Sequence, residues 1–208
     1  MARLSRADSQ RRTRRALLAT ARELFLRDGY FATSLERVAE TAGYSKGAVY
    51  SNFGSKDELC LAVLDLVVAE RARELALALV SASDTAGRIA AAETWVDEVT
   101  ADQGWITLEV EVASQVRGEA RLRTALAERA AARRTSLAAA LTAAAAAAGT
   151  TLPAPADHLA TALISAGLGL ALQRAVDPAL DVRPVFGAFA GLVAALADGA
   201  ATTLPAPA

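Results

Sequence analysis

Residues 33–59 read TSLERVAETAGYSKGAVYSNFGSKDEL: two short helical patterns, a tight turn between them, and the opening of a third helix. Thr33 is placed to cap the first helix, with Glu36 three residues on closing a capping box. Leu35, Val38 and Ala39 fall on one helical face. Gly43 stands where that helix must stop, and glycine accepts the left-handed backbone such a stop requires. Ser45 can cap a second helix over about 46–53, on which Val49 and Phe53 share the inward face. Ser55 and Glu58 make a second capping box for the third helix. The spacing Leu35, Ala39, Gly43, Val49 is that of a helix-turn-helix, with a small residue where the helices cross, a glycine at the bend and an apolar anchor beyond it. Ser45, Lys46, Gly47, Tyr50 and Ser51 then turn outward, as on a helix that enters a DNA major groove.

The wider stretch carries more than a turn. Ala21-Arg22-Glu23-Leu24-Phe25, Gly29-Tyr30, Thr33-Ser34, Val38-Ala39, Ala42 to Gly47, Val49-Tyr50, Asn52-Phe53 and Lys56 to Leu59 together resemble the DNA-binding domain of the tetracycline-repressor (TetR) family of bacterial transcription regulators. The family often has His before the Phe, where this chain has Asn52, also a hydrogen-bond donor. The resemblance implies an all-α protein of about nine helices. A three-helix DNA-binding domain would occupy residues 1–55, and a helical ligand-binding and dimerisation domain residues 56–204. It also implies a double-stranded DNA operator with an inverted repeat, a small-molecule effector that releases it, a homodimer and a place in the cytoplasm. By the same resemblance Thr33, Tyr50, Asn52 and Lys56 would bind phosphates, and each can donate a hydrogen bond to one. Ser45, Lys46 and Gly47 would meet base edges, Lys46 as a donor to guanine and Gly47 by allowing close approach.

Composition agrees. Of 208 residues 53% are hydrophobic, many of them alanine, and only 5% are aromatic, which favours closely packed helices. The single cysteine, Cys60, excludes an internal disulfide and fits a reducing compartment. The first residues hold no apolar core of a signal peptide, and the run Leu159–Leu172 reads as too short for a membrane span, so no membrane partner is expected. Residues 1–60 carry 11 Lys and Arg against 7 Asp and Glu, net +4, while residues 61–208 carry 11 against 16, net −5. A basic front on an acidic body suits contact with a polyanion at one end.

Along the chain, residues 1 to about 9 read as a disordered basic arm, and the first helix runs from about Gln10 to Arg27, ended by Gly29. A long fourth helix from Lys56 to about Val80, with Leu59, Val63, Leu66, Val67 and Leu77 along one side, would act as a lever. Ser83-Asp84 starts a fifth helix, with Ile89, Val96 and Val99 on one face, which Gly104 breaks. A nearly buried sixth follows from Trp105 to Val116, a seventh from Glu119 to about Ala148, an eighth from Ala156 to Val176 and a ninth from Asp181 to about Gly199. In the last two, Ala162, Ala166, Gly169, Gly187 and Gly191 alternate with large apolar residues such as Leu192, which suits either the core of a monomer or a two-fold four-helix interface with a second copy, and the family resemblance favours the second. An effector pocket is implied by the family; Trp95, Trp105, Leu108, Val112, Gln115, Leu168, Leu172 and Gln173 combine apolar walls with a few polar groups.

Catalytic chemistry is not visible. His158 stands beside Asp157 at a helix start and reads as a surface residue; Cys60 reads as half-buried packing; Glu109 and Glu111 point to opposite faces. No metal-ligand spacing or phosphate-cradling loop occurs, so neither enzymatic activity nor a cofactor or metal is expected. Two other readings stand beside the regulator: an architectural or adaptor DNA-binding protein with no small ligand, and an all-α enzyme using a C-terminal cavity.

Overall fold

Ser5 opens the first helix. Its hydroxyl oxygen accepts the Asp8 N–H at 3.1 Å, and α1 then runs Arg6–Ala32. This is the computed structural model of the chain, and it describes residues 5–147, 149–188 and 191. The expected disorder over residues 5–9 is thus replaced by helix, because Ser5 supplies a cap and Asp8 pairs with Arg11 one turn on. Gly29 interrupts α1 with a φ of +83°.

The next three helices follow the capping residues. α2 (Leu35–Ala42) is capped by Ser34, whose oxygen accepts the Arg37 N–H at 3.1 Å, and ends at Gly43 with a φ of 72°. α3 (Lys46–Phe53) is capped by Ser45 through the Ala48 N–H at 3.2 Å. α4 (Lys56–Ser81) opens with Ser55 accepting the Glu58 N–H at 3.1 Å. The reading of Thr33 as the cap of α2 is corrected. Thr33 is fully buried, and its hydroxyl donates to the Gly29 carbonyl at 2.9 Å, so the cap falls to its exposed neighbour Ser34.

These helices share one core with a later segment. Leu17, Leu24 and Phe25 of α1, Val38 of α2, Val49 and Phe53 of α3, and Leu59, Val63 and Val67 of α4 close around Leu108 and Val112 of α6 (Gln103–Ser114). Each such burial contributes about 1.5–3 kcal/mol. Gly104 does not break a helix. It lies in the first turn of α6, where an added Cβ would sit 3.1 Å from the Leu26 carbonyl carbon and closer still to its oxygen. Met1–Ala72 and Gln103–Leu126 accordingly form one compact unit, and Arg73–Asp102 and Ala127–Ala208 form another. The expected division at 55/56 does not coincide with a boundary between these units.

In the second unit α5 (Thr85–Ala101), capped by Asp84, packs on α8 (Ala156–Val176). Arg174 of α8 donates to the Asp97 carboxylate at 2.5 Å and to the Asp97 carbonyl at 2.9 Å, and Arg183 donates to the same carboxylate at 2.9 Å. The Arg174 hydrogen bond, aided by Arg183, holds the Asp97 carboxyl below its usual range. α7 spans Ala120–Ala147, and residues 183–188 are helical. The remainder of the expected ninth helix, Leu192 included, lies outside the described residues.

Several apolar residues expected to be covered are open: Leu77 near the end of α4, Ile89 of α5 and Val110 of α6. α8 shows the effect most strongly. Its 21 residues include a window of mean hydropathy 1.5 of which only 11% is buried. By length and composition alone the whole of α8 is long and apolar enough to cross a membrane, whereas the run Leu159–Leu172 covers only part of it. The all-α architecture expected from the sequence is the one found among the described residues.

Candidate nucleic-acid interface

The geometry of α3 follows from its two faces. Val49 and Phe53 are buried and fix the helix against α1 and α2. Arg14 of α1 adds a clamp: its guanidinium lies 4.0 Å from the Phe53 ring centre and donates to the Asn52 carbonyl. Arg14 therefore serves to dock α3, and Arg12 and Arg15 beside it are exposed. On the opposite face Ser45, Lys46, Gly47, Tyr50 and Ser51 are exposed together, as the sequence predicts, with Tyr50 at 46%.

Each expected contact residue can now be placed. A Cβ at Gly47 would meet only the Ser45 hydroxyl oxygen, at 3.8 Å, so nothing in the free protein requires glycine there. That leaves room for close approach by something outside the chain. Lys46 is already engaged: its ammonium forms an ion pair with Glu36 of α2 and lies 5.7 Å from the Tyr50 ring centre. Glu36 raises the Lys46 pKa, and Lys46 lowers that of Glu36.

The phosphate set is less uniform. Thr33 leaves it, since its hydroxyl is buried and donated inward. Ser34 is the exposed hydroxyl at that helix start, and its backbone partner, the Arg37 N–H, gave no sequence signal to prefer it over Thr33. Asn52 is half-buried; one N–H of its amide donates to the Ala48 carbonyl at 2.8 Å, which leaves the second for an outside acceptor. Lys56 is half-buried with its ammonium 4.2 Å from the Tyr30 ring centre, and burial pushes its pKa below the usual lysine range. Tyr30 is itself fixed by donating its hydroxyl to Asp57, and its N–H donates to the Glu111 carboxylate of α6 at 2.5 Å. Tyr30, Asp57 and Glu111 were not expected from the sequence as supports of Lys56, because only the packing of α6 on α1 brings Glu111 there.

The expected effector residues divide. Leu108 and Val112 are fully buried in the core with α1, which corrects their reading as pocket walls; Trp105 packs partly buried against the same core. Gln115 follows α6 in a short 3-10 turn. Trp95 lines an open groove of about 430 Å³ with Glu74, Ala78, Ala91, Thr94 and Glu98. Leu168 is half-buried on α8, where Leu172 and Gln173 are exposed. Among the described residues no group of three or more His, Cys, Asp or Glu is placed to hold a metal. His158 is exposed, whereas Cys60 is fully buried rather than half-buried, and burial pushes its thiol up to about 12, far from nucleophilic use at neutral pH.

Comparison with known proteins agrees with this geometry. Residues 17–63 match the family model of bacterial regulatory proteins of the tetR family. The chain is 36% identical over 110 residues to the HTH-type transcriptional activator FasR of Mycolicibacterium smegmatis, covering 49% of this chain and 50% of FasR. It is 26% identical over 111 residues to the HTH-type transcriptional repressor AcnR of Corynebacterium efficiens, covering 53% of this chain and 54% of AcnR. The chain thus spans about half the length of the curated relatives it matches. Its fold is that of a proposed transcriptional regulator of Rhodococcus sp. RHA1, with a TM-score of 0.72 at 22% identity over 85% of this chain and 94% of the other.

Proposed function

We infer, from the premise that residues 17–63 form the helix-turn-helix domain of a tetR-family bacterial regulatory protein, that the chain is a DNA-binding transcriptional regulator. In this reading it acts in the cytoplasm as a homodimer on an inverted-repeat operator and answers to a small molecule. The observation that carries it is α3, buried on one face by Val49 and Phe53 and presenting Ser45, Lys46, Gly47 and Tyr50 on the other. Ser34, Asn52 and Lys56 flank that face as proposed phosphate contacts.

The test is direct. DNA selected from a random pool by the full chain should contain a two-fold repeat. Lys46→Ala should weaken binding to it by about 1–3 kcal/mol and relax preference at one position, if Lys46 donates to guanine. Tyr50→Phe should weaken binding without changing the thermal melt. Unchanged gel-shift titrations for both variants would remove α3 as the reading helix.

A repressor released by its effector is the form of regulation we propose. The groove beside Trp95 is the proposed effector site, its alanines and indole suited to a hydrophobic molecule and Glu74 and Glu98 to one with a positive group. α4 runs unbroken from Lys56, beside the DNA-facing residues, to Ser81, past Glu74 and Ala78 of the groove. An effector acts only if it binds the non-operator form more tightly, and reciprocity then requires DNA to weaken effector binding equally. A coupling of about 1–3 kcal/mol would shift operator affinity roughly 5–150-fold. A compound found by thermal shift, lost on Trp95→Ala, should show that shift when titrated against the complex. A compound that binds there and leaves operator affinity untouched would refute the effector role.

A further inference from the structure

Lys46 is the only basic residue of α3, and in the free protein it is not available on equal terms to every acceptor. Its ammonium is held by the Glu36 carboxylate, which comes from the first turn of α2 across the helix-turn-helix bend. The Tyr50 ring lies 5.7 Å away on the same exposed face. We propose that Glu36 is a specificity-determining residue of the DNA interface, which restrains Lys46 so that it serves a base edge and is withheld from phosphates. The proposal rests on the DNA-binding reading above.

The chemistry follows from donor counting and charge. An ammonium has three N–H donors, and one goes to Glu36. Two remain, enough for guanine O6 and N7, so a matched site can be read with the ion pair intact. On a mismatched sequence the lysine's alternative is a phosphate oxygen, which must compete with a carboxylate already in place. Both side chains are about half exposed, 55% for Lys46 and 48% for Glu36, so the pair adds little to folding stability. Its effect falls on which DNA is bound. Glu36 also stands in the first turn of α2, where a negative side chain favours the helix, a role that a melt measures separately.

The experiment compares the full chain with Glu36→Gln on two DNAs, the sequence selected by the wild type and a scrambled version, across a salt series. For the scrambled DNA, Glu36→Gln should steepen the dependence of log affinity on log salt by about one, as one more phosphate contact does. It should also tighten that binding on the order of tenfold at low salt. Affinity for the selected sequence should change much less, so the ratio of selected to scrambled affinity falls by a similar factor. The steepening should vanish in a Lys46→Met background, because Glu36 acts through Lys46. Equal steepening in both backgrounds would show a merely repelling surface charge and overturn the proposal. So would an unchanged slope and ratio in Glu36→Gln with an unaltered melt. If the wild type enriches no sequence at all, the DNA-binding reading itself fails and takes the proposal with it.

Discussion

Ala166→Arg is expected to convert a dimer into monomers and to weaken operator binding by about 10²–10⁴-fold, the loss that follows when two linked half-site contacts become one. α8 has two sides. Ala160 and Ala171 are buried, and Arg174 is tied to Asp97 of α5. On the other side Ala162 and Ala166 are exposed, a Cβ at Gly169 would touch nothing within 4 Å, and Leu172 and Val176 are 41% and 88% exposed. Small residues one and two turns apart let a second helix approach closely, and the large ones fill the spaces between. A helix about 30 Å long gives such a contact useful length. Gly191 is open in the same sense, and Gly191→Arg should act alike. Gly187 is different: a Cβ there would lie 2.8 Å from a Glu93 carboxylate oxygen of α5, so it faces α5 within the chain. Sedimentation decides the matter. A wild type that sediments as a monomer and floats with phospholipid vesicles would transfer the face of α8 to a membrane, and an Ala166→Arg variant that stays dimeric would remove α8 from the interface.

Gly104→Ala is expected to destabilise the first unit by about 1–3 kcal/mol, the usual cost of overpacking. The colliding atom is the backbone carbonyl of Leu26, which cannot rotate away as a side chain would. α6 must then lift from α1, disturbing the seating of Leu108 and Val112 in the core. At roughly 2–4 °C per kcal/mol for a chain of this size, the melting temperature should fall by several degrees. Gly167→Ala supplies the opposite control. Gly167 lies mid-helix in α8 with nothing within 4 Å of an added Cβ, so the change should stabilise by about 0.5–1 kcal/mol. If Gly104→Ala melts at or above the wild type, the close approach of α6 to α1 is not a constraint.

The elements that local chemistry specifies were legible in the sequence. Ser45 and Ser55 cap the helices they were expected to cap, α5 starts at the expected Ser83-Asp84 pair, Gly43 takes the left-handed turn, and α8 ends at Val176 as its pattern requires. Thr33 and Ser34 are adjacent hydroxyls with the same capping chemistry, and only the buried side of α1 decides between them. Gly104 shows the limit more sharply. A glycine between two helical patterns reads as a break, and the reason for it, a carbonyl 78 positions earlier in the chain, is carried by no neighbouring residue. The same holds for Leu108 and Val112, whose periodicity fits a pocket wall and a packed core equally well. On α3, outward position was readable residue by residue, but the pairing of Lys46 with Glu36 depends on the angle of the helix-turn-helix bend.

The hold of α6 on the end of α1 bears on how such proteins can be recombined. Glu111 accepts the Tyr30 N–H beside the Gly29 kink, and Gly104 seats the same helix against Leu26. The helix-turn-helix segment is therefore not a detachable module ending near residue 55 or 81. A chimera that transplants residues 17–63 of this chain onto another protein has to carry a matching α6 surface with it. During synthesis the first fifty residues likewise cannot complete their packing until the segment around 103–112 has left the ribosome, so partners that hold nascent helices have a defined interval in which to act.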